Sequence, residues 1–299
     1  MVAGISEGLD QPLLLRPGDR VRIVAPSGPV SAERLEAGVS SIREMGLEPV
    51  CDPEVLTRDG FLAGDDERRC NELLSALADD DSRAIWAARG GYGSTRLLPH
   101  IDSEDVRRSA KWLIGFSDVT ALHGLWRRAG LSSVHGANVT TLGDWGAPGR
   151  DDLAGALFEG RPAALEGTEG LGSGIGSGPL AGGNLRVLCA MVGTPYFPSL
   201  EGSVLLIEDV NEAPYQLDRV FTQLVQAGAL EGVVGIAVGQ LSRCGDADSG
   251  LDVVRQHAQR IGLPTVIGLP VGHEPDSRAA ILGSVAIVDP QRRELRYQA

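Results

Sequence analysis

Ser117 lies in a stretch whose pattern could expose a nucleophile. The residues Leu113-Ile114-Gly115-Phe116-Ser117-Asp118-Val119-Thr120 predict a strand, a sharp turn and a helix. A turn of this kind can hold a serine hydroxyl above a sheet with a strained backbone. Gly115 relieves crowding two residues before the serine, although Val119 stands where the common G-x-S-x-G pattern has its second glycine. The pattern also fits a second interpretation, in which Ser117 or Asp118 only caps the following helix.

A serine hydroxyl becomes a nucleophile only when a nearby base removes its proton. His273 is the best candidate base, because glycine and proline fix a loop around it and nothing apolar demands a histidine there. An exposed loop histidine is the alternative. His135 ends a predicted strand and could face the same crevice as the serine. The other three histidines are weaker candidates. We expect His123 and His257 to occupy packing or surface positions, and His100 to lie in a loop without an evident partner.

The base in turn needs a group that orients it. Glu208 ends the apolar strand Val204 to Ile207, where a charge points toward the ligand edge of a sheet. Asp209 competes for this role. Side chains alternate between the two faces of a strand, so only one of the two carboxylates can aim at the site.

A glycine-rich turn follows another predicted strand, in Ala88-Arg89-Gly90-Gly91-Tyr92-Gly93-Ser94. Glycines leave backbone N–H groups free to approach a ligand closely. These amides could stabilise an oxyanion together with the N–H of Asp118, and Gly91 is the preferred donor with Gly90 as the alternative. A phosphate cradle is less well supported, because the chain has no Walker lysine after the turn and no G-x-G-x-x-G spacing.

The elements around these residues alternate between strands and helices. Through the first half this βαβ order predicts an α/β fold with an open, mostly parallel, flavodoxin-like sheet, flanking helices and a ligand site beyond the carboxyl ends of its strands. A helix is expected after Gly93. We expect a nucleophile domain at 1–145, a glycine-rich connection at 146–178, and a smaller C-terminal α/β domain at 179–299 that supplies Glu208 and His273.

Composition excludes several classes of protein. The 299 residues carry 27 basic and 40 acidic side chains, for a net charge of −13, and no basic cluster suits a phosphate backbone, so no nucleic-acid partner is expected. The four cysteines are scattered without a CxxC pair, which argues against a zinc, redox or disulfide motif. No apolar run reaches bilayer length and the opening residues lack signal-peptide features. A soluble, cytoplasmic protein without a membrane partner is expected.

Several segments together resemble the LD-carboxypeptidase family, which includes muramoyltetrapeptide carboxypeptidases and microcin C immunity hydrolases. The likeness runs in order from about Arg16 to the C-terminus. It is carried by FLAGDDER at 61–68, ARGGYGS at 88–94, IGFSDVTALH at 114–123, GGNL at 182–185 and LIEDVNEAPY at 206–215. The segment AAILG at 279–283 departs from the family, which usually has a Pro-x-Gly type segment after the histidine, and we expect the loop beside His273 to differ in shape.

The resemblance implies a Ser-His-Glu triad, which maps onto Ser117, His273 and Glu208. The implied enzyme is a serine carboxypeptidase without a metal or other cofactor, cleaving the amide between an L-centre and a terminal D-residue. Release of D-Ala from a cytoplasmic murein tetrapeptide is the expected reaction, as part of peptidoglycan recycling. The resemblance also suggests a homodimer, although no sequence feature fixes the interface.

Two other functions stay open. An immunity-type enzyme would cleave a linkage next to an aminoacyl-nucleotide, but that branch tends to carry a lysine four residues after the triad glutamate. Glu212 occupies this position and suits a substrate ammonium group better, although it could also be a solvated loop charge. In the second alternative the chain is a non-catalytic binding module whose glycine-rich loops close over a small anion.

Asn184 is a further candidate for contact with the substrate. It stands in the Gly-Gly-Asn-Leu turn at the start of the second domain, where it could hydrogen-bond a substrate carboxylate or amide. A helix N-cap is the alternative. Because the triad candidates lie on both sides of the glycine-rich connection, the site is expected in a cleft between the two domains.

Overall fold

The computed structural model describes residues 8–160, 163–246 and 248–298. Its first part alternates strands and helices as the sequence predicts. The elements are β1 (Arg20–Val24), α1 (Ala32–Glu44), β2 (Glu48–Cys51), α2 (Asp66–Ala78), β3 (Ser82–Ala87), α3 (Ser103–Ser109), β4 (Trp112–Gly115), α4 (Thr120–Arg128) and β5 (Ser133–His135). The helix expected directly after Gly93 is wrong: two short 3₁₀ turns, Ser94–Arg96 and Leu98–His100, precede α3.

The second part is richer in strands. Its elements are α5 (Ala147–Ala154), β6 (Leu165–Glu166), β7 (Glu169–Leu171), β8 (Gly176–Asn184), α6 (Leu185–Ala190), β9 (Val204–Val210), α7 (Pro214–Gln226), β10 (Gly235–Ser242), α8 (Ser249–Ile261), β11 (Thr265–Ile267), β12 (Ala280–Leu282), β13 (Val285–Asp289) and β14 (Glu294–Tyr297). None of the described helices combines the length and the apolar character needed to cross a membrane.

Two sheets organise these elements into a mixed α/β fold. The first has the order β12-β5-β4-β3-β1-β2, and its strands are parallel except for β12. The second has the order β6-β14-β13-β8-β9-β10-β11-β7, with β8 to β11 parallel and short antiparallel strands on both sides. The open, mostly parallel first sheet is as predicted. The second sheet has more strands than its sequence pattern indicates.

One strand of the C-terminal half belongs to the first sheet. β12 pairs antiparallel with β5, with Ala280 opposite His135 and Leu282 opposite Ser133. The segment after His273 therefore crosses from the second sheet to the first. Because of this crossing, the loop that contains His273 is anchored to both sheets.

Three segments of the expected connection, 146–178, belong to the second sheet: β6, β7 and the start of β8. Its glycines allow close backbone packing. A Cβ added at Gly178 would lie 1.9 Å from the carbonyl oxygen of Gly202, and one at Gly170 would lie 1.9 Å from that of Pro290. The glycines therefore meet a steric demand that a sequence pattern cannot distinguish from linker composition.

The helix that follows Ser117 lies between the two sheets. All residues of α4 from Thr120 to Trp126 are buried. One apolar cluster joins Leu122 of this helix to Ile85 of the first sheet and to Ile207 of the second. The helix is therefore held from both sides, which fixes the turn at its N-terminus.

Candidate active site

Ser117 sits on a strained turn between β4 and α4. Its φ of 65° lies in the left-handed region, which residues other than glycine rarely adopt. A short 3₁₀ turn over Ser117–Val119 leads into the helix, and the hydroxyl is partly exposed. No side-chain cap bond forms at the start of α4, so the capping interpretation of Ser117 and Asp118 is wrong.

The strained turn is possible because glycines surround it. A Cβ at Gly115 would lie 2.9 Å from Asn138 Oδ1 and 3.0 Å from the Cβ of Ala87. A Cβ at Gly90 would lie 3.0 Å from the Cβ of Ser117 and 3.2 Å from its Oγ. The glycine-rich loop after β3 is therefore in contact with the serine side chain.

Asp118 joins the turn to two neighbouring loops. Its buried carboxylate accepts hydrogen bonds from Ser27 Oγ at 2.6 Å and from the backbone N–H of Ser94 at 2.8 Å. Its carbonyl oxygen accepts a third from Ser94 Oγ at 2.5 Å. Within the described residues, the backbone N–H groups of Asp118, Gly90 and Gly91 donate to no acceptor. These three amides are available to an external acceptor.

His273 and Glu208 form a hydrogen-bonded pair. The distance from His273 Nδ1 to Glu208 Oε2 is 2.7 Å, and the Glu208 side chain is wholly buried at the end of β9. An ionised carboxylate can only accept, so Nδ1 carries a hydrogen and Nε2 of the neutral ring is left as an acceptor.

The same histidine lies beside the serine turn. Its ring centroid is 4.7 Å from that of Phe116, the residue before Ser117. No hydrogen bond joins Ser117 Oγ to His273 in the described part of the chain. Such contacts are often loose in a free enzyme and tighten when a ligand binds. The His273–Glu208 pair therefore lies next to the turn that carries Ser117.

The pKa values of the two carboxyl groups near the end of β9 are shifted in opposite directions. Burial alone would raise the pKa of the Glu208 carboxyl, but its interactions with His135 and His273 lower it to about 2. Burial, together with the charge of Glu208, raises the pKa of Asp209 to about 6. Alternation along β9 sends Asp209 away from His273, as the sequence predicts for one of the pair.

Asn184 and Asp209 are engaged with each other and with α6. Asn184 Oδ1 caps the helix by accepting from the N–H of Val187 at 3.1 Å, and its Nδ2 donates to Asp209 Oδ1 at 3.0 Å. Asp209 Oδ2 accepts from the N–H of Arg186. This is the capping role that the sequence left open for Asn184, and its substrate contact stays a prediction without support from these bonds.

Glu212 lies in the loop between β9 and α7 and is partly buried. Its Oε2 atom is shielded from solvent and has no hydrogen-bond partner among the described residues. A buried carboxylate oxygen without a partner is costly, so this group is suited to an external cation or donor.

The histidines outside the pair differ in what they contact. His123 bonds Ser133 Oγ through Nδ1 and the carbonyl oxygen of Gly115 through Nε2. Burial and the charge of His135 lower its pKa to about 3, so it stays neutral. His257 pairs with Asp218 and stacks on Phe221. Both have the packing roles expected of them.

A buried arginine that the sequence analysis missed holds the glycine-rich loop. Arg69 on α2 is fully buried, and its Nη1 donates to the carbonyl oxygens of Gly93, at 2.9 Å, and Pro26. Asp66 pairs with Arg69 and also with Arg96. The available signal was an arginine on the apolar face of a predicted helix, four residues before Leu73.

The fold and the site define an α/β protein with a strained serine at a strand-to-helix turn and, beside it, a histidine paired with a buried glutamate. Two family models match the chain: the LD-carboxypeptidase N-terminal domain over residues 21–136 and the LD-carboxypeptidase C-terminal domain over residues 177–288. The chain belongs to the LD-carboxypeptidase family and is a carboxypeptidase hydrolase.

Individual relatives cover almost the whole chain. A putative carboxypeptidase of Synechocystis is 37% identical over 96% of this chain and 97% of its own length. The murein tetrapeptide carboxypeptidase of Pseudomonas aeruginosa is 31% identical over 91% of this chain and 94% of its own.

Solved structures show the same architecture. The muramoyltetrapeptide carboxypeptidase of Oxalobacter formigenes superposes with a TM-score of 0.83 at 27% identity, covering 92% of this chain and 97% of its own. The microcin C7 self-immunity protein MccF superposes with a TM-score of 0.86 at 21% identity, covering 97% of this chain and 98% of its own. The second likeness concerns the fold alone.

Proposed function

We propose that this protein is a serine LD-carboxypeptidase in which Ser117 is the nucleophile, His273 the base and Glu208 the group that orients the base. The observation that carries the proposal is the 2.7 Å bond between Glu208 and His273 beside the strained Ser117 turn. The bond leaves His273 Nε2 as the acceptor for the serine proton. Strain at the serine supports a role beyond packing.

In the proposed reaction Ser117 Oγ attacks the carbonyl carbon of the scissile amide while His273 Nε2 takes the hydroxyl proton. Glu208 stabilises the imidazolium ion that forms, and its low pKa keeps it charged for this purpose. His273 then gives the proton to the leaving amine, so that an acyl-serine remains. A water molecule, activated by the same histidine, hydrolyses the ester and regenerates the enzyme.

The negative charge on the substrate oxygen requires donors. The unpaired N–H groups of Asp118 and of Gly91, with Gly90 as the alternative, are proposed to supply them. The contact between Gly90 and Ser117 supports this assignment of the donors, because it places the glycine-rich loop next to the attacking oxygen.

The proposed substrate is a murein tetrapeptide, from which the enzyme releases the terminal D-Ala. The Pseudomonas aeruginosa relative carries this substrate in its name. In this chain the unpartnered carboxylate oxygen of Glu212 supports an ammonium group on the substrate, as on diaminopimelate. The expected cytoplasmic location, the role in peptidoglycan recycling and the homodimer are part of the same proposal.

One preparation can be tested on two substrate types. We would incubate the protein with a murein tetrapeptide and with an aminoacyl-nucleotide conjugate, and follow both by mass spectrometry. We expect the tetrapeptide to lose the mass of one alanine residue, with free D-Ala as the second product, at a higher kcat/KM than cleavage of the conjugate. A preference for the conjugate would instead assign the immunity-type activity, and cleavage of neither would favour the binding module.

A further inference from the structure

His135 is a buried histidine that the proposed mechanism leaves without a role. It ends β5, and its side chain is 1% exposed. Neither ring nitrogen has a hydrogen-bond partner among the described residues. Because a buried polar group without a partner destabilises a fold, such a position calls for a reason.

The polar atom facing His135 is the free oxygen of Glu208. Nε2 of His135 lies 3.8 Å from Glu208 Oε1, and this oxygen also lacks a hydrogen-bond partner among the described residues. The other oxygen, Oε2, is bonded to His273. The Glu208 carboxylate is therefore held between two imidazole rings, one on each oxygen.

The other aromatic neighbours of His135 among the described residues offer no alternative partner. The Phe116 ring lies edge-on with its centroid 6.0 Å away and supplies only apolar contact. The His123 ring lies 6.2 Å away, but Ser133 and the carbonyl of Gly115 already occupy its nitrogens. Glu208 is thus the acceptor that matches an N–H on His135 Nε2.

The contact joins the two halves of the chain. His135 stands opposite Gly115 in the register of β5 and β4, so it is held on the same sheet edge as Ser117. Glu208 belongs to the second sheet. A bond between them would set the carboxylate, and through it His273, relative to the nucleophile.

We propose that His135 is a positioning residue for the triad, which directs an Nε2–H at Glu208 Oε1 and so fixes the plane of the carboxylate that orients His273. The inference rests on the proposed function. At 3.8 Å the contact is longer than a hydrogen bond. Hydrogen bonds in an active site are often long without substrate and tighten when substrate binds.

The proposal predicts an effect on proton transfer as well as on structure. The titratable groups facing His135 and its acceptor are Glu208 on β9, His123 on α4 and His273 on the loop after β11. Since His123 stays neutral, removal of the His135 N–H acts mainly on Glu208. With one donor fewer, the carboxylate stabilises the imidazolium ion of His273 more strongly.

The test compares His135→Leu with His135→Gln, which keeps an N–H near the original position. The control is His257→Leu, which removes a buried histidine from α8 outside the site. We expect His135→Leu to lower kcat by roughly 10- to 100-fold with little change in KM, by analogy with other groups that orient a ligand. The acid limb of its kcat/KM profile should move to higher pH. His135→Gln should keep most of kcat, and His257→Leu should lower only the melting temperature.

Wild-type kcat and an unmoved acid limb in a folded His135→Leu protein would overturn the positioning role. That result differs from failure of the proposed function, in which the wild-type protein itself would not cleave the tetrapeptide. A measurement on the wild type covers the case in which the leucine variant does not fold. ¹⁵N chemical shifts of labelled histidines should show the hydrogen of His135 on Nε2, and a hydrogen on Nδ1 alone would overturn the proposal.

Discussion

Gly90 touches the side chain of Ser117 so closely that a Cβ at position 90 would lie 3.0 Å from the serine Cβ and 3.2 Å from its Oγ. The backbone of the glycine-rich loop is thus part of the wall around the nucleophile. Two hydrogen bonds hold this loop in place. The buried Arg69 donates to the carbonyl oxygen of Gly93, and the Asp118 carboxylate accepts from the N–H of Ser94.

The first prediction concerns this contact. Gly90→Ala should lower kcat by roughly 10- to 1000-fold, because the new methyl group displaces either Ser117 or the amides offered to the oxyanion. The melting temperature should fall far less than in Gly178→Ala, because the new Cβ would lie 3.0 Å from its nearest neighbour here and 1.9 Å from a backbone oxygen there. Steady-state kinetics with a murein tetrapeptide would measure the effect.

Gly143→Ala is the matched control, because a Cβ there would meet nothing within 4 Å. It should leave both kcat and the melting temperature unchanged. Equal activity of the Gly90 and Gly143 variants would show that the loop does not shape the reaction.

The second prediction concerns acid stability. The ordinary pKa of a glutamate is near 4.5, and that of folded Glu208 is about 2. The folded state therefore binds this proton less readily than the unfolded state. The carboxylate contributes its full stabilisation above about pH 5 and loses it as the pH falls toward 2.

Glu208→Gln removes this titration. The free energy of unfolding, measured in urea from pH 7 to pH 3, should fall less steeply with decreasing pH in the variant than in the wild type. Parallel curves would mean that Glu208 has the same proton affinity in both states, contrary to its pairing with the histidines.

The third prediction separates the two roles of Asn184. Asn184→Ala should lower the stability of the protein by roughly 1 to 2 kcal/mol, because it removes the cap of α6 and a donor to buried Asp209. Asn184→Ser keeps a capping oxygen and should lose less. Values of kcat/KM at a temperature where all three proteins are folded should agree within about 3-fold. A large kinetic loss with an unchanged melting temperature would instead support the substrate contact.

The fourth prediction concerns the glycine-rich stretch. Gly178→Ala should destabilise the protein by more than about 2 kcal/mol, since its Cβ would meet the carbonyl oxygen of Gly202 at 1.9 Å and backbone must move. Thermal unfolding measures the change, again with Gly143→Ala as the control. An unchanged melting temperature would contradict the close packing at Gly178.

The local features of the site could be predicted from the sequence. The Ser117 turn, the glycine-rich loop and the candidate base His273 follow from patterns within a few residues, in which strand periodicity and the positions of glycine and proline carry the information. The same patterns left Glu208 and Asp209 both open, and the resemblance to a family selected Glu208. These patterns involve residues close together in sequence, so they can be recognised without knowledge of the fold.

Features that depend on distant pairing could not be predicted. The return of β12 to the first sheet, the close packing at Gly178 and the contact of His135 with Glu208 each join residues far apart in sequence. The role of Arg69 was missed because two of its partners are the backbone carbonyls of Gly93 and Pro26, which a pattern of residue types does not place beside α2. In each case the energy that stabilises the arrangement comes from tertiary contacts.

The central claim is that Ser117 is the nucleophile, and turnover of a murein tetrapeptide by Ser117→Ala tests it most directly. By analogy with serine hydrolases, release of D-Ala followed by mass spectrometry should fall by about 10⁶-fold, while the melting temperature stays near that of the wild type. A folded Ser117→Ala protein that releases D-Ala at the wild-type rate would contradict the account.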